Sequence, residues 1–142
     1  MSKLETVEGL VEDFSSISVK ERLLLLLEFS ENLPELPERY ADHPDLLERV
    51  EECQSPIFLF VEVNDENRVD LFFSAPPEAP TTRGFAGILH EALNGHSAEE
   101  VLGVDDDFPS KLGLAEAVSP LRMRGMRAML YRIKRQVAEK SH

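Results

Sequence analysis

Ile57-Phe58-Leu59-Phe60-Val61-Glu62-Val63, then Asn64-Asp65-Glu66-Asn67, then Val69-Asp70-Leu71-Phe72-Phe73, is the stretch that decides the fold. The first run is rich in β-branched and aromatic residues, the composition of a strand. The four residues after it are turn formers, whose short polar side chains bond their own backbone. The third run returns as a second strand, which predicts an antiparallel hairpin. Side chains alternate across a strand. Leu59, Val61 and Val63 therefore share one face, and Phe58, Phe60 and Glu62 share the other.

On either side of the hairpin the pattern is helical. Leu4 to Phe14 reads as a short first helix. Ser18-Val19-Lys20-Glu21 is a capping box, with the Ser18 hydroxyl and the Glu21 carboxylate satisfying backbone donors reciprocally. The helix it opens runs through Leu23 to Leu27 and Phe29, and Pro34 ends it. Five consecutive leucines predict burial on more than one side. Pro34, Pro37 and Pro44 mark a long irregular linker, and Leu46 to Glu52 approach the hairpin.

Downstream, Pro76, Pro77 and Pro80 mark a second irregular loop. Phe85, Ile88, Leu89, Ala92 and Leu93 then follow the spacing of one buried helix face, stopped by Gly95. Ser97-Ala98-Glu99-Glu100 is a second capping box, opening a helix to Leu102. Asp107 reads as the cap of a further turn through Leu112, ended by Gly113. Ser119 is an N-cap with Pro120 at the first helical position, where a missing N–H costs nothing. The last helix buries Met126, Met129, Leu130, Ile133 and Val137; Met123, Met126 and Met129 read as a core stripe with one outlier. The order of helices, a small antiparallel sheet of about three strands, then helices predicts an α+β domain, with the helices on one face of the sheet. At 142 residues, one domain spanning 1–142 is the expectation.

Composition narrows the function. The net charge is −12, yet Leu121 to Lys140 holds seven cations and one anion. The rest of the chain thus carries −18, which argues against a phosphate-backbone footprint and a nucleic-acid partner. The basic helix itself reads as a solvated face whose cations suit a helix C-terminus. No apolar run is long enough for a membrane span. Met1 to Glu5 lack the cationic head and apolar core of an export signal, so a reducing cytoplasm is expected.

Cys53 is the sole cysteine, in Cys53-Gln54-Ser55-Pro56. That excludes an internal disulfide and a multi-cysteine cluster, and leaves one-thiol chemistry or an inert buried thiol. Gln54 and Ser55 can donate hydrogen bonds to a sulfur anion. Glu51 and Glu52 oppose ionisation, so the sequence sets no net direction for the thiol pKa. Arg122 lies at helical spacing with Met126, Met129 and Ile133, which reads as the start of the buried seam. A cation held there, in a first turn the helix dipole disfavours, calls for an anion. The bland partner is a carboxylate; the functional one is a thiolate or persulfide of Cys53.

Together these pieces resemble the SufE family of sulfur-acceptor proteins. The resemblance rests on Cys53-Gln54-Ser55 before an apolar strand, Arg83-Gly84 opening the middle helix and Leu112-Gly113-Leu114. It rests also on Ser119-Pro120 followed by Arg122 and Gly125, and on Leu33-Pro34-Glu35-Leu36-Pro37. It implies a fold like that of SufE and NifU-type scaffolds. It implies that Cys53 accepts sulfane sulfur from the persulfide of a SufS-like cysteine desulfurase and passes it to a SufBCD-like iron–sulfur scaffold, stimulating the desulfurase. Pyridoxal phosphate then resides on the desulfurase. The carrier holds no cofactor beyond a transient persulfide and is no stand-alone enzyme. Arg122 matches the family arginine near the cysteine. Gln54, Ser55, Glu78 and Arg83 match positions that support the loop or the partner interface.

The chain departs from the family pattern at Glu52, where glycine is common, at Pro56-Ile57-Phe58 in place of Gln-Val-Trp, and at Leu121 in place of serine. A stiffer, more acidic loop bears on how Cys53 swings out and on which donor it meets, desulfurase or rhodanese-like enzyme. Three rivals stand beside this reading. An iron–sulfur or zinc scaffold would need His43, His90, His96 or His142 to converge on Cys53. A Cys–His hydrolase would need a histidine beside the thiol. An adaptor would carry an inert thiol. Asp105-Asp106-Asp107 reads as a helix end and a cap, not a metal site.

Overall fold

The computed structural model describes residues 4–142. The reading of Met1 to Lys3 as free of an export signal lies outside them. The hairpin forms as the alternation requires: β2 (Phe58–Val63) pairs antiparallel with β3 (Val69–Ser74), with Leu59 opposite Phe73, Val61 opposite Leu71 and Val63 opposite Val69. Asn64 Oδ1 accepts from the backbone N–H of Glu66 and Arg68, and Asn67 takes a left-handed φ of 59°, the conformation asparagine tolerates in turns. A two-residue strand, β1 (Glu48–Arg49), pairs antiparallel with β2, giving the sheet order β1-β2-β3.

Around the sheet lie α1 (Glu5–Ser15), α2 (Val19–Glu31), α3 (Glu38–Ala41), α4 (Pro80–Leu93), α5 (Ala98–Leu102), α6 (Phe108–Lys111) and α7 (Pro120–Lys140). Both capping boxes are present at Ser18–Glu21 and Ser97–Glu100. Leu59, Val61, Phe85, Ile88, Leu89, Leu93, Met126, Met129 and Ile133 meet in the core. Met123 is buried with Met126 and Met129, so the methionine stripe has no outlier.

Several expectations need correction. Among the five leucines of α2 only Leu26 is fully buried and Leu24 is exposed, because α2 packs chiefly on α4, touches α1 and the 114–116 turn, and keeps one side to solvent. Arg83 Nε donates to Ser30 O at 2.9 Å across that pair, and Gly84 lets the helices touch: a Cβ there would stand 2.5 Å from Leu26 O. The proline-rich linker is not wholly irregular. It folds α3, whose Tyr40 lies against Phe60 and Phe72 with ring centroids 5.1 and 5.0 Å away, so the second face of the sheet is covered too. Finally, Asp107 occupies the cap position of α6 but its side chain makes no capping bond. Asp105 does the local work, accepting from Asp107 N and from Lys111 Nζ.

The short β1 leaves the middle of β2 without a strand partner, and α7 supplies the missing groups. Gln136 Oε1 accepts from Val61 N at 2.9 Å, and Lys140 Nζ donates to Val61 O at 2.6 Å. A buried backbone group left unpaired would cost about 1–3 kcal/mol. Gln136 and Lys140 are therefore structural. Its cations do not form the purely solvated face expected: Arg132, Lys134 and Lys140 are only half-exposed and turn inward onto partners.

Candidate functional site

Cys53 sits in a loop whose neck is closed by the bond from Val50 N to Ile57 O at 2.9 Å. Inside the neck, Cys53 N donates to Val50 O at 3.1 Å and Ile57 N to Ser55 O at 2.9 Å. The loop lies against the first turns of α7, where Ser119 Oγ accepts from Arg122 N and Pro120 presets the first turn. Gly125 makes the contact possible. Its missing Cβ would stand 2.8 Å from Cys53 Sγ, so any side chain there would evict the sulfur.

The result is a small cleft of about 40 Å³ lined by Glu52, Cys53, Gln54, Ser55, Thr82, Leu121, Arg122 and Gly125. Cys53 is 8% exposed. Burial, then the charge of Glu52, push its thiol up to about 11, against the opposing pull of Arg132. The resting thiol is thus protonated at neutral pH and sheltered. Neither Gln54 nor Ser55 donates to the sulfur; Gln54 is exposed and Ser55 half-buried.

Arg122 differs from its sequence reading. It is exposed on the first turn of α7 and does not continue the buried seam; it lines the mouth of the cleft with Leu121. The seam spacing misleads because in the first turn it is Met123, 1% exposed, that meets the core, while the side Arg122 occupies opens onto the cleft. The cation that meets an anion beside the cysteine is Arg132, which the sequence reading passed over. Arg132 Nη2 donates to Glu52 Oε1 at 2.5 Å and Nη1 to Glu48 Oε2 at 3.0 Å. Glu48 also accepts from Gln136 Nε2 at 2.9 Å and from Arg135. The bond to Arg132 holds the Glu52 carboxyl below its usual range. Burial alone would raise Glu48, but its bonds to Arg135, Gln136 and Arg132 outweigh it and hold that carboxyl low as well.

The site residues named from sequence divide. Cys53, Gln54, Ser55 and Arg122 come together in one cleft. Glu78 and Arg83 do not line it. Glu78 is exposed before α4, and Arg83 is a brace, donating to Ser30 O and to Ala75 O at 2.7 Å. No histidine lines the cleft. Among the described residues no group of three or more His, Cys, Asp or Glu could hold a metal ion. A larger cavity, about 670 Å³ between α1 and the α5–α6 segment, contains none of these residues.

This arrangement has known relatives. The family model of SufE, described as the Fe-S metabolism associated domain, matches residues 8–137. The chain belongs to the SufE family. An uncharacterized SufE-like protein of Mycobacterium tuberculosis is 54% identical over 129 residues, covering 91% of this chain and 89% of that one. SufE-like protein 1, chloroplastic/mitochondrial, of Arabidopsis thaliana is 27% identical, covering 87% of this chain and 32% of that protein. The solution structure of a hypothetical protein from Thermus thermophilus superposes with a TM-score of 0.84 at 38% identity, covering 98% of both chains. SufE membership places this chain in iron–sulfur metabolism and bears out the α+β fold. No helix of the described residues is long and apolar enough to cross a membrane.

Proposed function

We propose that the protein is a sulfur carrier: Cys53 takes sulfane sulfur from the persulfide of a cysteine desulfurase and delivers it to an iron–sulfur assembly scaffold. The observation that carries this reading is the setting of the one thiol. Cys53 is buried in the lining of a small cleft, on a loop whose neck is tied, against a glycine that leaves room for the sulfur and little else. A persulfide exposed to water and stray thiols is short-lived, and such a shelter protects it. A lone cysteine also leaves no neighbour to resolve a persulfide into a disulfide.

The transfer balances without an oxidant. The Cys53 thiolate attacks the terminal sulfur of the donor's persulfide, the donor's S–S bond breaks, and the donor leaves as a thiolate. The Cys53 proton replaces the one the donor thiolate takes up. The attacking species is the thiolate, and the buried thiol is held near 11. Cys53 must therefore leave its shelter, and the loop must open when the donor binds. Pyridoxal phosphate belongs to the donor in this scheme, and the carrier performs no turnover alone. Arg122 at the mouth and Arg132 beneath are the cations placed to receive negative charge on sulfur.

The test is stimulation of a cysteine desulfurase. Wild-type protein should raise its rate of alanine release in the presence of reductant, and Cys53→Ser should not. Equal stimulation by Cys53→Ser would overturn the assignment of Cys53. The inert-thiol adaptor predicts that equality.

A further inference from the structure

We propose that the Glu52–Arg132 ion pair latches the cysteine loop closed. We infer further that the donor docks by an acidic surface on Arg122 and Arg124, with one of its carboxylates replacing Glu52 on Arg132. This rests on the carrier reading and adds to it the chemistry of the partner.

Of the side chains at 51–56, Glu52 is the one hydrogen-bonded to another element among the described residues. Everything else that closes the loop is its own backbone and the packing of Cys53 on Gly125. Losing Glu52 from Arg132 would free the loop but not Arg132, which stays anchored through Nη1 to Glu48. Glu48 is in turn fixed by Arg135 and Gln136.

Arg132 also has an unused donor. Its Nε is buried and has no acceptor. Nε and Nη2 form one edge of the planar guanidinium, the geometry that grips a carboxylate with two parallel bonds. Glu52 engages only the Nη2 end of that edge. A carboxylate arriving from outside after Glu52 leaves could use both donors. The closed state thus holds Arg132 one bond short, and in the open state a carboxylate from the partner can supply the missing acceptor.

The approach to this site is cationic in an acidic protein. Leu121 is 45% exposed, and Arg122 and Arg124 beside it make no ion pair among the described residues, in a chain of net charge −12. Arg124 is close enough to help hold the Glu52 carboxyl low. An apolar side chain flanked by carboxylates matches an exposed leucine flanked by arginines. Opposite charge of this kind steers encounter and fixes orientation.

Hydrogen exchange of the 50–57 segment, read by mass spectrometry, tests both halves without relying on sulfur chemistry. Glu52→Gln should exchange roughly tenfold faster in that segment, the effect of losing one charged hydrogen bond, with no change elsewhere. Unchanged exchange would overturn the latch. A synthetic peptide carrying a leucine flanked by glutamates should speed exchange in wild type, a lysine-flanked control should not, and Arg124→Glu should abolish the response. Equal effects of both peptides, or none, would overturn the docking chemistry. Sulfur loading of Cys53 measured on the same samples separates the two levels. Loading with no latch effect sinks this inference alone, whereas a working latch on a thiol that never loads sinks the carrier reading.

Discussion

Gly84 and Gly125 are both pressed from outside where a Cβ would stand, but by different neighbours. At Gly84 the intruder is backbone, Leu26 O at 2.5 Å, between two long helices whose positions the whole core fixes. At Gly125 it is Cys53 Sγ at 2.8 Å, the tip of a side chain on a loop held by a few bonds. The backbone of α2 cannot yield, whereas the sulfur can. The same missing methyl group therefore serves permanent packing in one place and a removable shelter in the other.

The sharpest way to break that contrast is the pH profile of Cys53. A thiol held near 11 should be about 200-fold less reactive toward a neutral alkylating agent at pH 8 than a free thiol of pKa about 8.5. Rate against pH measures it, and a profile levelling off near 8.5 would show that the shelter does not exist. The sign carries over to stability. The unfolded thiol ionises first as pH rises, so the burial of Cys53 is neutral below about 8.5 and costs stability between there and about 11.

Gly84→Ala should cost about 3 kcal/mol, because overpacking against a fixed backbone distorts both helices. Denaturant unfolding would read it. Gly125→Ala should cost less than about 1 kcal/mol, since the sulfur can give way. It should raise Cys53 alkylation roughly tenfold at fixed pH, because partial exposure of the sulfur lowers its pKa by about one unit. If the two alanine variants lose equal stability, the distinction between packing and shelter fails. The smallest effect belongs to acid. The Glu48 and Glu52 carboxyls are held below their usual range, so their ion pairs stabilise the fold above about pH 4.3. That contribution is lost as pH falls through their lowered folded values. Thermal unfolding from pH 6 to pH 3 should show a decline that Glu52→Gln reduces.

What the sequence made legible was local. The hairpin follows from alternation, α2 and α5 from their capping boxes, and the buried face of α4 from the spacing of Phe85, Ile88 and Leu89. Cys53 stood out because it was alone. The missing parts depend on groups distant in the chain. Arg132 meets Glu48 across 84 residues and Glu52 across 80, and nothing in the local pattern of α7 distinguishes it from the other cations on that helix. Arg122 departs from its spacing for a related reason: helical spacing gives the angle around an axis but not what stands there, and beside Arg122 it is an open cleft while Met123 in the same turn meets the core. Tyr40 covers the second face of the sheet from a segment whose prolines read as linker, because a four-residue helix leaves almost no periodic signal. The α2 leucines show that apolar composition overstates burial when part of a helix's circumference faces solvent.

The central claim is that Cys53 carries sulfur. It is tested most directly by incubating the protein with a cysteine desulfurase and cysteine bearing radiolabelled sulfur, then recording intact mass and label beside Cys53→Ser. The account predicts a gain of one sulfur atom on wild type, removable by reductant, and none on the variant. A wild-type protein that stays unlabelled while the desulfurase turns over, or a variant that labels equally, would contradict it.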